Sequence, residues 1–147
     1  MKKAGLSLAV MLAALALSDC ATPGNYTWYD VSCCADESAL RGMLKDMAKN
    51  IADDLNKPQN PAWGMDSAEQ LIVSIELEKD FMAGPTAIIL RRVTGSRGYE
   101  VSIQQQYNGA ETAEIQKARI AIETAISKSA CPVFNRRIEH SRPEKLG

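Results

Sequence analysis

Four cysteines are the residues of this 147-residue chain that could do chemistry most directly, and they lie at positions 20, 33, 34 and 131. Zinc sites usually separate paired cysteines by about two to four residues, and thiol oxidoreductases use a Cys-x-x-Cys spacing. Cys33 and Cys34 are adjacent and fit neither pattern. A disulfide between neighbours is strained and rare. The sequence therefore predicts no metal and no cofactor, and it predicts a structural disulfide from Cys33 or Cys34 to Cys131.

Three glutamates on predicted strands could support hydrolysis. Glu76, Glu78 and Glu100 could share the solvent-facing side of a sheet, and paired carboxylates cleave glycosidic bonds when their separation is right and one pKa is raised. Solvated strands carry such residues routinely, however, and a domain of this size has little room for a deep substrate cleft. We expect no enzyme, and a carboxylate-dependent wall hydrolase is the least favoured alternative.

The chain has one histidine, His140, which lies in a polar C-terminal segment. A catalytic imidazole needs a fixed partner and a shaped pocket, and a loose tail supplies neither. The sequence also contains no nucleophile elbow, no phosphate-binding glycine loop and no paired-histidine metal motif. We therefore predict no catalytic residue.

One local cluster of basic residues consists of Arg91, Arg92 and Arg97. Successive strand residues point to opposite faces, so at least one of Arg91 and Arg92 lies on the outer side. Edge protection and solubility would account for such charges. The alternative is a contact for an acidic partner, lipid headgroups or anionic envelope polymers. These three arginines are the candidate partner-binding residues.

The first twenty residues predict where the protein works. Met1-Lys2-Lys3 is followed by an apolar run from Ala4 to Leu17 and then by Ser18-Asp19-Cys20. A positive head, an apolar segment and small residues before a cleavage site are typical of a secretory signal peptide. The run is shorter than the roughly eighteen apolar residues that a membrane-spanning helix needs. We expect residues 1–19 to be removed on export, into a compartment that favours disulfides.

The end of this segment resembles the processing site of bacterial lipoproteins, in which a leucine three places before a cysteine directs lipid to that cysteine. Leu17, Ser18 and Cys20 match, whereas Asp19 stands where Gly, Ala or Ser is usual. The resemblance implies palmitate-bearing lipid on Cys20. Because Ala21 rather than an aspartate follows, it also implies the periplasmic side of the outer membrane. The alternative is cleavage after Ser18 and release of a soluble periplasmic or secreted protein.

The charge of the chain argues against one class of partner. Without residues 1–19 the chain keeps 15 basic and 17 acidic residues, a net charge of −2. Nucleic-acid binding needs a basic footprint, so we expect no nucleic-acid partner. The remaining length suits one domain with one core.

Hydrophobic periodicity predicts the elements that position these residues. Residues 20–26 are small and aperiodic, which is typical of a tether, and Tyr26 to Cys34 predicts a strand. Apolar residues at helical spacing predict a helix from Asp36 to Asn56, with Asp36 as its cap. A second helix is predicted between a cap at Asn108 and Cys131-Pro132.

Three strand signals separate the helices, at 71–78, 86–93 and 99–107. The short turns between them predict antiparallel hairpins, and residues 135–147 read as a polar tail. The order β-α-β-β-β-α predicts a single α+β domain at 27–134. We expect a two-layer sandwich with an antiparallel three- to four-stranded sheet and both helices on one face.

These features predict function only as a class. We expect a non-enzymatic accessory lipoprotein of the bacterial cell envelope. It would bind an unidentified envelope protein through the exposed side of the sheet or through the turn that carries Arg91, Arg92 and Arg97. Lipid on Cys20 would supply the membrane contact. The main alternative is a soluble periplasmic inhibitor or immunity protein that blocks a toxin or a hydrolase.

Overall fold

The computed structural model describes residues 24–80, 84–106 and 111–141. Two helices cover one face of a six-stranded antiparallel sheet, which confirms the predicted α+β class. In chain order the elements are β1 (Gly24–Val31), α1 (Glu37–Leu55), a 3-10 turn (Pro61–Trp63), β2 (Met65–Asp66), β3 (Gln70–Asp80), β4 (Gly84–Val93), β5 (Tyr99–Gln106), α2 (Ala113–Lys128) and β6 (Phe134–Ser141). The strand order across the sheet is β2-β3-β4-β5-β1-β6.

The helices begin at capped residues. Asp36 accepts a hydrogen bond from the Ala39 amide at 2.8 Å, so the predicted cap of α1 is confirmed. Asn56 ends α1 in the left-handed conformation, with φ +52°. For α2 the cap is Thr112, whose hydroxyl accepts from the Ile115 amide at 3.3 Å. The predicted cap at Asn108 lies outside the described residues.

The core lies between the helices and the face of the sheet that they cover. Alternate residues of β1, β3, β4 and β5 point into it, which is why β3 and β5 have an alternating apolar pattern. Its largest fully buried side chains are Tyr29, Val31, Leu44, Ile51, Leu71, Ile75, Ile88, Leu90, Val101, Ile103, Ile122 and Ile126. Of the helices that the structure describes, none is long and apolar enough to cross a membrane.

The sheet has two more strands than the sequence predicted. Residues 65–66 of the predicted loop form the short edge strand β2, and residues 134–141 form a strand and not part of a polar tail. This strand, β6, pairs antiparallel with β1 from Phe134 opposite Val31 to Ser141 opposite Gly24. An unpaired edge of β1 would leave its N–H and C=O groups without partners. Backbone pairing therefore orders a segment whose side chains are mostly polar. Residues 142–147 of the predicted tail lie outside the described part of the chain.

The N-terminal boundary also differs from the prediction. β1 already begins at Gly24, so residues 24–26 belong to the sheet and not to the tether. The strand ends at Val31, before the two adjacent cysteines. The predicted signal peptide at 1–19 and the predicted lipid site at Cys20 lie outside the described residues.

A disulfide joins Cys33 to Cys131 and so links the segment after β1 to the end of α2. Cys33 is buried and packs in the core, whereas Cys34 is exposed and unbonded to any described cysteine. Successive extended residues point in opposite directions, which explains why only one of the two neighbours reaches Cys131. Of the two pairings that the sequence left open, the structure has Cys33 with Cys131.

Candidate binding face of the sheet

The face of the sheet opposite the helices, which we call the open face, is built by alternate residues of five strands. The strand register places them in three rows across β3, β4, β5, β1 and β6. These rows are Ile72-Arg91-Glu100-Asp30-Asn135, Ser74-Ile89-Ser102-Trp28-Arg137 and Glu76-Ala87-Gln104-Tyr26-Glu139. Both helices pack on the other side, so these side chains form the outer surface of the sheet.

The middle row carries an aromatic and cationic cluster. The Trp28 ring stacks on Tyr26, with ring centroids 6.2 Å apart and planes 21° apart. On the neighbouring strand, the Arg137 guanidinium carbon lies 5.6 Å from the Trp28 ring centroid, within cation–π range. Ile89 lies on the same row between two small residues, Ser74 and Ser102. The result is a flat surface with apolar and cationic side chains at its centre.

Two polar atoms of this row lack a hydrogen bond. Among the described residues, neither the buried Trp28 Nε1 nor the buried Ser74 Oγ has a partner. A buried polar group without a partner costs about 1–3 kcal/mol, and most buried polar groups in native proteins are satisfied. Both atoms are buried, so they add to the cost of folding and lie out of reach of a molecule that docks on the open face.

The first row carries charges of both signs. Burial raises the pKa of Glu100, and the negative charge of neighbouring Asp30 raises it further. Arg91 lies on the other side of Glu100 and also donates to Gln70 Oε1 at 3.4 Å. A cavity of about 280 Å³ at this end of the sheet is lined by Asp30, Ser32, Arg91, Arg97, Glu100 and their neighbours.

Replacing Glu100 by glutamine is expected to stabilise the protein at neutral pH. A raised carboxyl pKa means that the folded state binds the proton more tightly, so the stability of the natural protein rises as pH falls through that pKa. Glu100→Gln should remove this dependence and raise the free energy of unfolding at pH 7 by up to about 1 kcal/mol. Urea unfolding at pH 5 and pH 7 measures both effects. Glu69→Gln, at an exposed position, is the control, and a less stable Glu100→Gln protein would contradict the assignment.

The three arginines of the predicted cluster do not act together. Arg91 is exposed on the open face and Arg97 is exposed in the turn between β4 and β5. Arg92 points to the helix side, where it is only 4% exposed. There it donates to the Ser96 carbonyl at 2.6 Å and the Gly98 carbonyl at 2.7 Å. Arg92 is therefore a structural residue. Its prediction as a partner-binding residue is wrong, because these acceptors hold its side chain on the helix side, away from the open face.

Arg92 also pairs with Glu37 in the first turn of α1. Its Nε donates to Glu37 Oε2 at 3.1 Å, and Arg41 Nε donates to the other carboxylate oxygen at 2.9 Å. Hydrogen bonds from Arg92 and then from Arg41 hold the pKa of Glu37 below its usual value. This network ties the end of β4 to the start of α1 and closes the turn that carries Arg97.

Replacing Arg92 by alanine is expected to lower the free energy of unfolding by about 3 kcal/mol, because two carbonyls and a carboxylate lose their donor. The lowered pKa of Glu37 stabilises the protein above its unfolded pKa, and this contribution is lost as pH falls below that value. Arg92→Ala should therefore also weaken the loss of stability in acid. Urea unfolding at pH 7 and pH 4 tests this. Arg91→Ala is the matched control, with an expected change below about 0.5 kcal/mol, and an equal loss from both variants would contradict the prediction.

The three predicted carboxylates are not brought together. Glu76 and Glu100 both lie on the open face, but two strand spacings and four residues separate their Cα atoms, which is roughly 16 Å. Glycosidase carboxyl pairs lie within about 9.5 Å of each other. Glu76 accepts from Asn60 Nδ2 at 3.4 Å, and Glu78 follows an irregularity in the β3–β4 register. The described residues also contain no group of His, Cys, Asp and Glu that could hold a metal ion.

A second concavity lies between the helices. It measures about 670 Å³, with Met43 and Met47 among its apolar residues and Asp46, Asp53 and Asp54 among its acidic ones. Its three aspartates are exposed, as on any solvated helix surface.

Sequence reasoning missed the two residues at the centre of the open face. Trp28 lies in the predicted first strand, where Tyr26, Trp28 and Asp30 alternate with buried residues, so the alternation was available as a signal. Arg137 had no such signal, because the residues of β6 have the polar composition of a tail. Its place beside Trp28 follows from the pairing of β6 with β1. His140 lies on β6 opposite Asn25.

The fold and this face define a class: an antiparallel α+β sandwich whose sheet has one helix-covered and one open face. Comparison with protein-family models, with curated proteins and with solved structures found no match. Function is therefore argued from the open face and the N-terminal sequence alone.

Proposed function

We propose that this protein is a non-enzymatic accessory lipoprotein of the bacterial cell envelope that binds another protein through the open face. The observation that carries the proposal is the cluster of Tyr26, Trp28, Ile89 and Arg137 on the side of the sheet that the helices leave uncovered. Trp, Tyr and Arg are the side chains that most often carry the binding energy of protein interfaces.

The charges of the open face favour a protein partner over an anionic polymer. Arg91 and Arg137 supply positive charge on this surface. Negative charge comes from four carboxylates, those of Asp30, Glu76, Glu100 and Glu139. A polyanion or an anionic headgroup layer would meet these four carboxylates as well as two arginines. A protein surface with apolar side chains and both signs of charge can match this pattern.

The proposed membrane attachment rests on the N-terminal sequence, and the start of β1 limits how far the sheet could lie from the membrane. Only four positions separate Cys20 from Gly24, where the sheet begins. Four residues span at most about 14 Å, so a lipid on Cys20 would hold the sheet next to the membrane surface. The partner would then be another membrane-anchored or membrane-embedded protein of the envelope.

Site-specific photo-crosslinking in intact cells tests the binding face. A benzophenone amino acid replaces Ile89 or Arg91 on the open face, and Asn50 or Ile120 on the helix layer serves as the matched control position. We expect adducts with an envelope protein from positions 89 and 91 and none from 50 and 120. Adducts only from the helix layer would overturn the assignment of the face. An adducted toxin or hydrolase that the purified protein inhibits would instead establish the inhibitor alternative.

The lipid on Cys20 is tested separately, by fractionation and intact mass. The natural protein should lie in the membrane fraction with the mass of the chain from residue 20 plus lipid. Cys20→Ser should abolish the added lipid mass, whereas Cys34→Ser should leave it unchanged. An unmodified mass in the soluble fraction for the natural chain would overturn the lipoprotein assignment while leaving the crosslinking result to stand.

A further inference from the structure

The outer edge of β6 is a second surface that the proposed function does not use. β6 lies at one end of the strand order and pairs with β1 and with no other described strand. An edge strand presents unpaired N–H and C=O groups that can pair with another chain. At the opposite end of the sheet the edge strand β2 has only two residues. Of the two edges, β6 therefore offers the longer row of backbone groups for pairing with another strand.

The charges on β6 differ from those that normally protect a sheet edge. Charges of a single sign repel a second copy of the same strand. On β6, however, Arg137 and Glu139 have opposite signs, lie two residues apart on the open face and form an ion pair with each other at 3.3 Å. Both side chains are about half exposed. Between them, Ile138 points to the other face and is 42% exposed.

Symmetry limits how two copies of β6 can pair. A two-fold axis perpendicular to the sheet pairs β6 with itself in antiparallel fashion, and one residue then lies opposite its own copy. Centring on Arg137 or on Glu139 places that charge against itself. Centring on Arg136 also opposes like charges. Centring on Ile138 places each Arg137 opposite the second copy's Glu139 and brings the two exposed isoleucines together.

We propose that β6 pairs with β6 of a second copy of this chain, antiparallel and centred on Ile138. The pairing joins the two sheets into one of twelve strands, with the helices of both copies on one side and the two open faces continuous on the other. Two symmetric Arg137–Glu139 contacts select this register. We call the paired β6 strands of the two copies the seam. Arg137 of each copy lies at the seam, and its guanidinium group lies over the Trp28 ring of the adjacent strand.

The expected association is weak in solution. Residues 135–141 are the part of β6 that pairs in this register, and such a short seam belongs with the small, transient interfaces. Copies confined to one membrane surface would meet at a much higher effective concentration. The seam therefore suits a protein held near a membrane, although the pairing itself does not depend on the lipid or on the partner of the open face.

Complementary charge reversal tests the register. The mature chain carries Cys20→Ser and Cys34→Ser, which remove the lipid site and the exposed thiol, and sedimentation equilibrium measures its dimerisation. Arg137→Glu opposes two carboxylates across the seam, and Glu139→Arg opposes two guanidinium groups. We expect each change alone to weaken the dimer by about tenfold or more. An equimolar mixture of the two variants should restore it, because residue 137 of each chain again lies opposite a residue 139 of opposite charge.

The mixture separates the seam from effects within one chain, since the internal Arg137–Glu139 pair stays broken in both variants. Lys49→Glu on α1 is the control and should leave the dimer unchanged. If a reversal prevents folding, Ile138→Cys provides a second test. Position 138 lies opposite its own copy at a Cα separation of about 4.5–5.5 Å, which a disulfide can bridge. Copper-phenanthroline oxidation should then give covalent dimers, and Asn135→Cys should not.

Three results would overturn the proposal. The first is a monomeric background protein at all accessible concentrations. The second is a dimer that neither reversal weakens. The third is a mixture of the two reversed chains that stays monomeric while each chain is folded.

Discussion

Replacing Gly98 by alanine is expected to lower the free energy of unfolding by about 4 kcal/mol or more. A Cβ at this position would lie 1.8 Å from the Val31 carbonyl oxygen and 2.8 Å from the Val31 carbonyl carbon. Both are backbone atoms at the end of β1 and have no rotamer that avoids the clash. Gly98 also has φ +101°, which residues with a side chain rarely adopt. Urea unfolding followed by circular dichroism measures the loss.

Alanine variants at two other glycines distinguish the effect of the steric clash from the effect of backbone strain. Gly95, in the same turn, has φ +87°, but a Cβ added there would have nothing within 4 Å, so Gly95→Ala should cost only about 1–2 kcal/mol. Gly42 lies within α1 with open space around it, and Gly42→Ala should stabilise the protein by about 1 kcal/mol. Equal losses at positions 98 and 95 would show that the close approach to β1 does not matter for stability.

Removing the Cys33–Cys131 disulfide is expected to cost about 4–5 kcal/mol, the value that the chain-entropy relation assigns to a loop of roughly 100 residues. The bond spans 98 positions of the chain and joins both ends of the domain. A protein with Cys33→Ala and Cys131→Ala tests this by urea unfolding under non-reducing conditions. A disulfide acts mainly by restricting the unfolded chain. The folded variant should therefore have the same open face as the natural protein.

Cys34→Ser is the matched control, because Cys34 is exposed and unbonded to any described cysteine. Its free energy of unfolding should equal that of the natural protein. Reducing agent should destabilise the natural protein and the Cys34→Ser protein equally. It should leave the variant without Cys33 and Cys131 unchanged. A destabilised Cys34→Ser protein would contradict the observed pairing.

These two large effects arise at one corner of the fold. A Cβ on Gly98 would also lie 3.0 Å from the Cys33 amide nitrogen, and the Gly98 carbonyl accepts from Arg92. The turn between β4 and β5, the end of β1 and the disulfide therefore support one another. Because β1 carries Tyr26 and Trp28, this corner holds the aromatic part of the open face in register with β5.

Local patterns were sufficient to predict much of the fold. Helical spacing predicted α1, and Asp36 was correctly identified as its cap. Alternation of apolar and polar residues predicted β3 and β5, and the short turn at 94–98 predicted the hairpin between β4 and β5. Each of these features depends on residues that are close in the chain, so the sequence shows it directly.

The residues of the open face were only partly predictable. Alternation showed that Glu100 and one of Arg91 and Arg92 would lie on an outer surface, but it could not decide which arginine. The structure turns Arg92 inward, because the Glu37 carboxylate and the carbonyls of Ser96 and Gly98 accept its hydrogen bonds there. Those acceptors come from three different parts of the chain, so no local pattern points to them.

Side-chain patterns along the chain were enough to predict the α+β class, the two amphipathic helices and a cysteine arrangement suited to one structural disulfide. The position of β1 between β5 and β6 and the strand at residues 134–141 became visible only in the folded protein. So did the pairing of Cys33 rather than Cys34, which depends on which of the two neighbouring side chains faces the core. A strand in the sheet is stabilised by backbone hydrogen bonds to residues far away in the chain, and those bonds leave little trace in the order of side chains.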